Sequence, residues 1–147
     1  MKKASSKLAL LDANVLLALA WPSHQFHHAA VARMNRRNQR WATCAVTELG
    51  FIRLSANPVV VQLSKTPAEA ALLLQAMTAD PGHVYLDSPP PTAEPFLSGF
   101  ATLMGYQQVT DSYLLNLAGA NHAFLLTFDA RLKALGNSDR PVEILSA

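Results

Sequence analysis

Short apolar runs alternate along this chain with stretches in which apolar residues recur at helical spacing. Apolar runs bounded by turn residues are typical of buried strands, and apolar residues three or four positions apart are typical of one helix face. We predict five strands, at residues 7–11, 40–44, 83–86, 123–128 and 142–145. Because helical patterns separate the strands, the chain is expected to adopt an α/β fold with a central parallel sheet.

The helical patterns are bounded by recognisable start and stop signals. Thr66, Pro67 and Glu69 form a T-P-x-E start, which predicts a capping box with proline in the first helical position. The loop at 87–95 leaves too little chain on either side for two cores, so we predict one domain spanning residues 1–147. The predicted helices lie at 13–20, 24–38, 45–56, 68–79, 93–104, 111–120 and 129–135.

The apolar segment "LALLDANVLLALAW" contains an aspartate, Asp12, at its centre. With Lys2 and Lys3 before it, the segment is superficially similar to a secretory signal peptide. An aspartate at the centre of an inserting segment costs about 2.5 to 3.5 kcal/mol, which argues against that interpretation. No run approaches the roughly 18 apolar residues of a membrane span. We therefore expect a cytoplasmic protein without a membrane segment.

The chain has ten acidic residues, and four of them lie in otherwise apolar surroundings. Asp12 and Asp129 each follow a predicted strand, and Asp111 lies at the start of a predicted helix. Carboxyl ends of parallel strands meet at one edge of a sheet, so these acids can converge there, with Glu48 reaching in from the third helix. Each acid could instead be only a helix cap. Four such acids together predict a shared site, in which a cation must offset their repulsion.

The predicted ligands are all oxygen atoms, which favours a hard cation such as Mg²⁺, with Mn²⁺ also possible, over zinc. Such cations serve phosphate chemistry by polarising phosphoryl oxygens and lowering the pKa of a bound water. Three neighbouring polar side chains are expected to hold carboxylates or metal-bound waters in place, although each could be a local cap. These are Asn14, Thr110 and Thr127.

Four blocks of the sequence occur in a characteristic order and spacing: "LLDANVLLALAWPSH", "TELGFIRL", "GYQQVTDSYLLNLA" and "LLTFDARL". In this order and spacing they resemble PIN-domain ribonucleases of the VapC toxin type. The resemblance covers nearly the whole chain and implies a Rossmann-like sheet and metal-dependent endonucleolytic cleavage of RNA. It also implies that Asp12, Glu48 and Asp111 bind the metal, with Asp129 as the fourth acid. A homodimer and a cognate antitoxin that blocks the site are implied as well.

Basic and histidine residues are concentrated in the second helical segment. The run "RMNRRNQR" contains Arg33, Arg36, Arg37 and Arg40, which could contact RNA phosphates or simply form a solvated helix face. The net charge of +2 permits an anionic partner without requiring one. His24, His27 and His28 have a spacing that can bind zinc, but no acid or cysteine lies nearby in sequence. We expect them to mark a helix start near the site.

Two other classes of protein are compatible with parts of this pattern. A haloacid-dehalogenase-like phosphatase also begins with a strand ending in aspartate, but it needs a second aspartate where this chain has Asn14. A non-enzymatic α/β module that binds RNA or protein would use the four acids as caps. Metal-dependent hydrolysis by the pure protein separates that module from a nuclease. No motif distinguishes tRNA, rRNA or mRNA as the substrate.

Overall fold

The centre of the fold is a parallel sheet of five strands. A computed structural model describes residues 7–36 and 38–146. The strands are β1 (Leu8–Leu11), β2 (Trp41–Thr43), β3 (His83–Tyr85), β4 (Ala123–Thr127) and β5 (Val142–Ile144). Their order in the sheet is β3-β2-β1-β4-β5, and every neighbouring pair is parallel. The predicted α/β fold with five parallel strands is confirmed.

Helices connect the strands and cover the sheet. They are α1 (Ala13–Ala20), α2 (His27–Asn35), α3 (Ala45–Ser55), α4 (Pro67–Thr78), α5 (Phe96–Gly99) and α6 (Val109–Ala120). Three short 3-10 turns follow at Phe100–Thr102, Tyr106–Gln108 and Ala130–Ala134. None of the helices in the described ranges combines the length and the apolar character needed to cross a membrane.

Each face of the two central strands packs into its own apolar cluster. On one face, Leu10 and Leu125 lie in a cluster with residues of α6, such as Leu114. On the other face, Leu11 and Leu126 pack with residues of α1 and α3. A parallel strand covered on both faces needs apolar side chains at every position, which is why "LALL" and "AFLLT" lack polar alternation.

The order of the strands places a crevice between β1 and β4. The chain moves outward from β1 to β2 and β3 on one side, and later continues through β4 and β5 on the other side. In such sheets, ligands bind outside the carboxyl ends of the strands at the point where the order reverses. Asp12 directly follows β1, and Asp129 lies two residues after β4, so both lie at this point.

The predicted capping box of α4 is confirmed. The Thr66 hydroxyl accepts a hydrogen bond from Glu69 N, and the Glu69 carboxylate accepts one from Thr66 N.

Three predicted helices are shorter in the structure, and the one predicted at 129–135 forms only the 3-10 turn Ala130–Ala134. Helix α2 ends at Asn35 instead of residue 38 and begins at His27 instead of residue 24, because the His24 ring accepts a hydrogen bond from Phe26 N and closes a turn. The helix predicted at 93–104 is reduced to α5 and a 3-10 turn, because Pro95 precedes α5 and Gly99 ends it.

Candidate active site

Asp12 lies where β1 ends and α1 begins, and its side chain is held on both oxygen atoms. Oδ1 accepts a hydrogen bond from Ala13 N at 2.8 Å, and Oδ2 accepts one from the Thr127 hydroxyl at 2.8 Å. The Asp12 amide bonds to the carbonyl of Leu126 at 3.0 Å, which extends the β1–β4 pairing by one residue. The carboxylate is therefore fixed by contacts from the start of α1 and the end of β4.

Thr127 connects the polar groups on the two sides of the crevice. Its side chain is fully buried, and its hydroxyl donates to Asp12. The same oxygen accepts hydrogen bonds from Asn14 Nδ2 at 3.3 Å and from Asp129 N at 3.1 Å. Asn14 Oδ1 in turn accepts from Phe128 N at 3.3 Å. Asn14 and Thr127 thus form one network that orients Asp12 and the backbone of Asp129.

Asp111 lies in the first turn of α6 and is half-buried. Burial, together with the charges of Asp12 and Asp129, raises the pKa of its carboxyl from 3.8 to about 6, against the opposing charge of Arg131. Burial also raises the pKa of Asp12, although its hydrogen bonds from Thr127 and Ala13 oppose the rise and the charge of Asp129 adds to it. The structure therefore brings Asp12, Asp111 and Asp129 within reach of one another's charge.

Asp129 is paired with an arginine that was not among the predicted site residues. Arg131 Nε lies 2.9 Å from Asp129 Oδ1, and Nη2 lies 2.7 Å from Oδ2. The hydrogen bonds from the Arg131 side chain lower the pKa of the Asp129 carboxyl, against the effect of burial. The Arg131 side chain itself is exposed. The sequence signal for this pair is that Arg131 follows Asp129 by two residues, with Asp129 directly before the first residue of a 3-10 turn.

Glu48 lies in the first turn of α3 and is engaged by a different set of residues. Its Oε2 accepts a hydrogen bond from the hydroxyl of Thr43 at 2.6 Å, and the same hydroxyl lies 2.7 Å from His83 Nε2. Sequence reasoning missed Thr43 and His83. Thr43 could have been found by analogy with Thr127, because each threonine is the last residue of its strand.

The carboxylates do not form a ready-made metal shell. Over residues 7–36 and 38–146, no three His, Cys, Asp or Glu side chains lie close enough to enclose a metal ion. Mg²⁺ ordinarily keeps several waters and uses only one or two carboxylates together with substrate phosphates. A partly buried group of carboxylates with mutual repulsion is also the donor set that a hard cation prefers. These residues therefore fit Mg²⁺ or Mn²⁺.

Thr110 does not join the acid network in the structure. It is exposed and makes no hydrogen bond to Asp12, Asp111 or Asp129 in the described part of the chain. Its side chain instead lines an apolar cavity of about 380 Å³ that also contacts Val46, Phe100 and Tyr113. The structure therefore gives Thr110 no contact through which it would support Asp12, Asp111 or Asp129, and a role in holding metal-bound waters stays a prediction.

The predicted phosphate-binding arginines have different environments. Arg33 forms a two-pronged ion pair with Glu143, at 2.7 Å and 3.0 Å, and its side chain is only 9% exposed. Because its guanidinium is both paired and almost fully buried, the structure does not present Arg33 for the predicted RNA contact. Arg36 lies 3.8 Å from the same glutamate and is largely exposed, and Arg40 is also exposed. Arg37 lies outside the described residues.

Two of the three histidines near α2 bind the backbone. Besides the His24 contact to Phe26, His27 Nδ1 lies 2.8 Å from the carbonyl oxygen of Ala18. The His27 bond ties the start of α2 to α1. These two contacts account for the positions of the His24 and His27 rings.

Comparison with known proteins identifies the family. Residues 9–137 match the PIN domain family. The chain is 40% identical to Ribonuclease VapC38 of Mycobacterium tuberculosis, over 95% of this chain and 99% of that protein. It is 42% identical to Ribonuclease VapC39 of the same organism, over 84% of this chain and 90% of that protein.

A solved structure with low sequence identity has the same fold. The crystal structure of VapBC2 from Rickettsia felis, bound to a DNA fragment from its promoter, matches with a TM-score of 0.60 at 14% identity. The match covers 95% of this chain and 99% of the other. Together with a family match that includes Asp12, Glu48, Asp111 and Asp129, these similarities show that the chain belongs to the PIN-domain family and, within it, to the VapC proteins.

Proposed function

We propose that this protein is a metal-dependent endoribonuclease that acts as the toxin of a toxin–antitoxin pair. The observation that carries the proposal is the group of carboxylates at the topological switch point, where Asp12 and Asp111 both have raised pKa values. Groups with perturbed pKa values in a crevice are typical of functional sites. The relatives with 40% and 42% identity are named ribonucleases, which supports RNA as the substrate.

Four acidic side chains are available to hold the divalent cation, either directly or through waters bound to it. They are Asp12, Glu48, Asp111 and Asp129. When bound, Mg²⁺ or Mn²⁺ would polarise the phosphodiester and lower the pKa of an attacking water. The positive charge of the bound cation would also offset the repulsion between the carboxylates and so favour the ionised forms of Asp12 and Asp111.

The chain's own residues preorganise this site. Thr127 and Asn14 fix the Asp12 carboxylate, so its orientation does not have to be established during the reaction. Arg131 pairs with Asp129 through Nε and Nη2, and because its guanidinium is nevertheless exposed, it is suited to contact an RNA phosphate as well. Arg36 and Arg40 extend the exposed positive charge on another part of the surface.

The antitoxin and the homodimer remain predictions for this chain. Without a bound cation, the clustered acids carry uncompensated negative charge. An arginine or lysine side chain of a partner protein can therefore enter the site and pair with them. We expect an antitoxin tail of this kind to inhibit cleavage in competition with Mg²⁺. Inhibition that ignores the Mg²⁺ concentration and survives removal of every tail cation would instead indicate steric occlusion of the RNA path.

RNA cleavage by the purified protein tests the proposed function. We expect cleavage of cellular RNA with Mg²⁺ or Mn²⁺, and its loss with EDTA. Asp12→Asn should lower the rate at least about 100-fold while the protein stays folded. Asp139→Asn, which changes an exposed acid in a turn, is the matched control. A folded parent that binds RNA without cleaving it under any divalent cation would favour a non-enzymatic binding module.

A further inference from the structure

We propose that His83 is a positioning residue that holds Glu48 in its working orientation through the hydroxyl of Thr43. The inference rests on the proposed nuclease function, in which Glu48 is a metal ligand. It concerns Thr43 and His83, which are not among the four acids and which lie on strands β2 and β3.

The three side chains form a linear chain of short contacts. His83 Nε2 lies 2.7 Å from Thr43 Oγ1, which lies 2.6 Å from Glu48 Oε2. Thr43 is fully buried, so water does not replace either contact. Both distances are at the short end for hydrogen bonds, and the charged acceptor accounts for the shorter one, between Thr43 and Glu48.

The hydrogen positions in this chain follow from the number of donors. A hydroxyl has one hydrogen to donate, and an ionised glutamate can only accept. The Thr43 hydrogen must therefore point to Glu48, and the Thr43 oxygen accepts from His83. Both short contacts are hydrogen bonds at the same time only when His83 Nε2 carries a hydrogen. The imidazole thereby fixes the direction in which the Thr43 hydroxyl points.

The scaffold around His83 holds its ring in place. His83 is paired in the sheet with Trp41, and the two rings are 4.6 Å apart between centroids. Trp41 Nε1 donates to Asp80 Oδ2 at 2.8 Å, which anchors the indole on the loop before β3. Burial lowers the pKa of His83, although the charges of Glu48 and Asp80 and the Thr78 carbonyl oppose this effect. The ring is thus set by elements outside the acid group.

The geometry leaves one oxygen of Glu48 available. Among the described residues, the hydrogen bond to the Glu48 side chain goes to Oε2, and Oε1 accepts none. A carboxylate held through one oxygen can bind a cation through the other without losing its support. Hydrogen-bonded supports of this kind typically contribute a factor of 10 to 100 in metal affinity or activity.

The hydrogen position is tested by NMR on the metal-free, full-length protein. Long-range ¹H–¹⁵N spectra report which ring nitrogen is protonated, and the His83 signals are assigned from their loss in His83→Gln. We expect a protonated Nε2 between about pH 6 and 8, and a changed ring signal in Thr43→Val. An unprotonated Nε2 would mean that His83 accepts from Thr43, which would overturn the inference.

The positioning role is tested with substitutions that keep or remove the donor. His83→Leu and Thr43→Val should each weaken Mn²⁺ binding, measured by calorimetry, and slow RNA cleavage about tenfold. His83→Gln retains an amide donor at similar reach, and Thr43→Ser retains the hydroxyl, so both should stay within about threefold of the parent. His28→Leu makes the same chemical change at an exposed position and should have no effect.

The outcomes separate this inference from the proposed function. If His83→Leu does not fold, His83→Asn provides a polar substitute that is too short to reach Thr43 and should show the same loss. Parent-like Mn²⁺ affinity and cleavage in His83→Leu or His83→Asn, with cleavage still abolished by Asp12→Asn, would overturn the inference alone. A parent that neither binds Mn²⁺ nor cleaves RNA would overturn the proposed function and this inference with it.

Discussion

Asp111→Asn should stabilise the metal-free protein at neutral pH. In the folded state the pKa of this carboxyl is raised from 3.8 to about 6, chiefly by burial and then by Asp12 and Asp129. An acid whose pKa is raised on folding binds its proton more tightly in the folded state. The stability of the protein therefore falls as the pH rises from about 4 to about 6, and the loss is complete above that range.

The size of this effect follows from the pKa difference and from the exposure of the side chain. At 1.36 kcal/mol per pH unit, the difference corresponds to roughly 3 kcal/mol. Asp111 is only half-buried, so screening by solvent reduces this to about 1 to 2 kcal/mol. Asparagine also loses the favourable interaction of a negative charge with the start of α6, about 0.5 kcal/mol. We expect a net gain of about 1 kcal/mol.

Thermal unfolding in EDTA at pH 4 and pH 7 measures this difference. For a chain of this length, Asp111→Asn should raise Tm by about 3 °C at pH 7 and have little effect at pH 4. Asp139→Asn is the control for loss of an exposed charge. A destabilisation of equal size at both pH values would show that Asp111 acts only as a helix-terminal residue, and would refute the reasoning from charge repulsion.

Three further predictions concern the supports of the site and its surroundings. Thr127→Val removes a buried hydroxyl that is hydrogen-bonded to Asp12, Asn14 and Asp129, so it should lower the free energy of unfolding by about 1 to 3 kcal/mol. Thr127→Ser keeps the hydroxyl and should be nearly neutral. Equal stability of the two variants in urea would contradict this prediction. The double substitution Arg36→Gln and Arg40→Gln should flatten the slope of log RNA affinity against log salt concentration by roughly 0.7 per lost contact, and an unchanged slope would mean that both exposed arginines face only solvent. Arg33→Gln should instead destabilise the fold by about 1 kcal/mol, because it breaks the ion pair with Glu143. Gly119→Ala should destabilise the protein by about 1 to 3 kcal/mol, because a Cβ there would collide with the Asp139 carbonyl oxygen; a Tm unchanged from the parent would show that the loop yields freely.

The sheet and the convergence of three acids could be predicted because both follow from local pattern. Apolar runs such as "LALL" and "AFLLT" have no polar alternation, and this composition is typical of short strands covered on both faces. Once the strands are parallel, residues directly after them must meet at one edge. Asp12 and Asp129 were therefore placed correctly without any knowledge of distances.

The partners of the acids could not be predicted, because they depend on side-chain directions between distant segments. Glu48 contacts Thr43 and His83, and His83 is 35 residues further along the chain. Arg33 pairs with Glu143 across 110 residues, although sequence alone presents it as part of an exposed basic run. Thr110 and Asp111 are adjacent in sequence, yet they point to different surroundings because successive helical residues face different directions.

The location of a bound divalent cation tests the central claim most directly. Crystals of the protein soaked in Mn²⁺ and measured for anomalous scattering would locate the ion independently of any activity. We predict an anomalous peak at the carboxyl ends of β1 and β4, in contact with the carboxylates of Asp12 and Asp111, and its loss in Asp12→Asn. A peak elsewhere, or full occupancy in Asp12→Asn, would contradict the assignment of these carboxylates as the metal site.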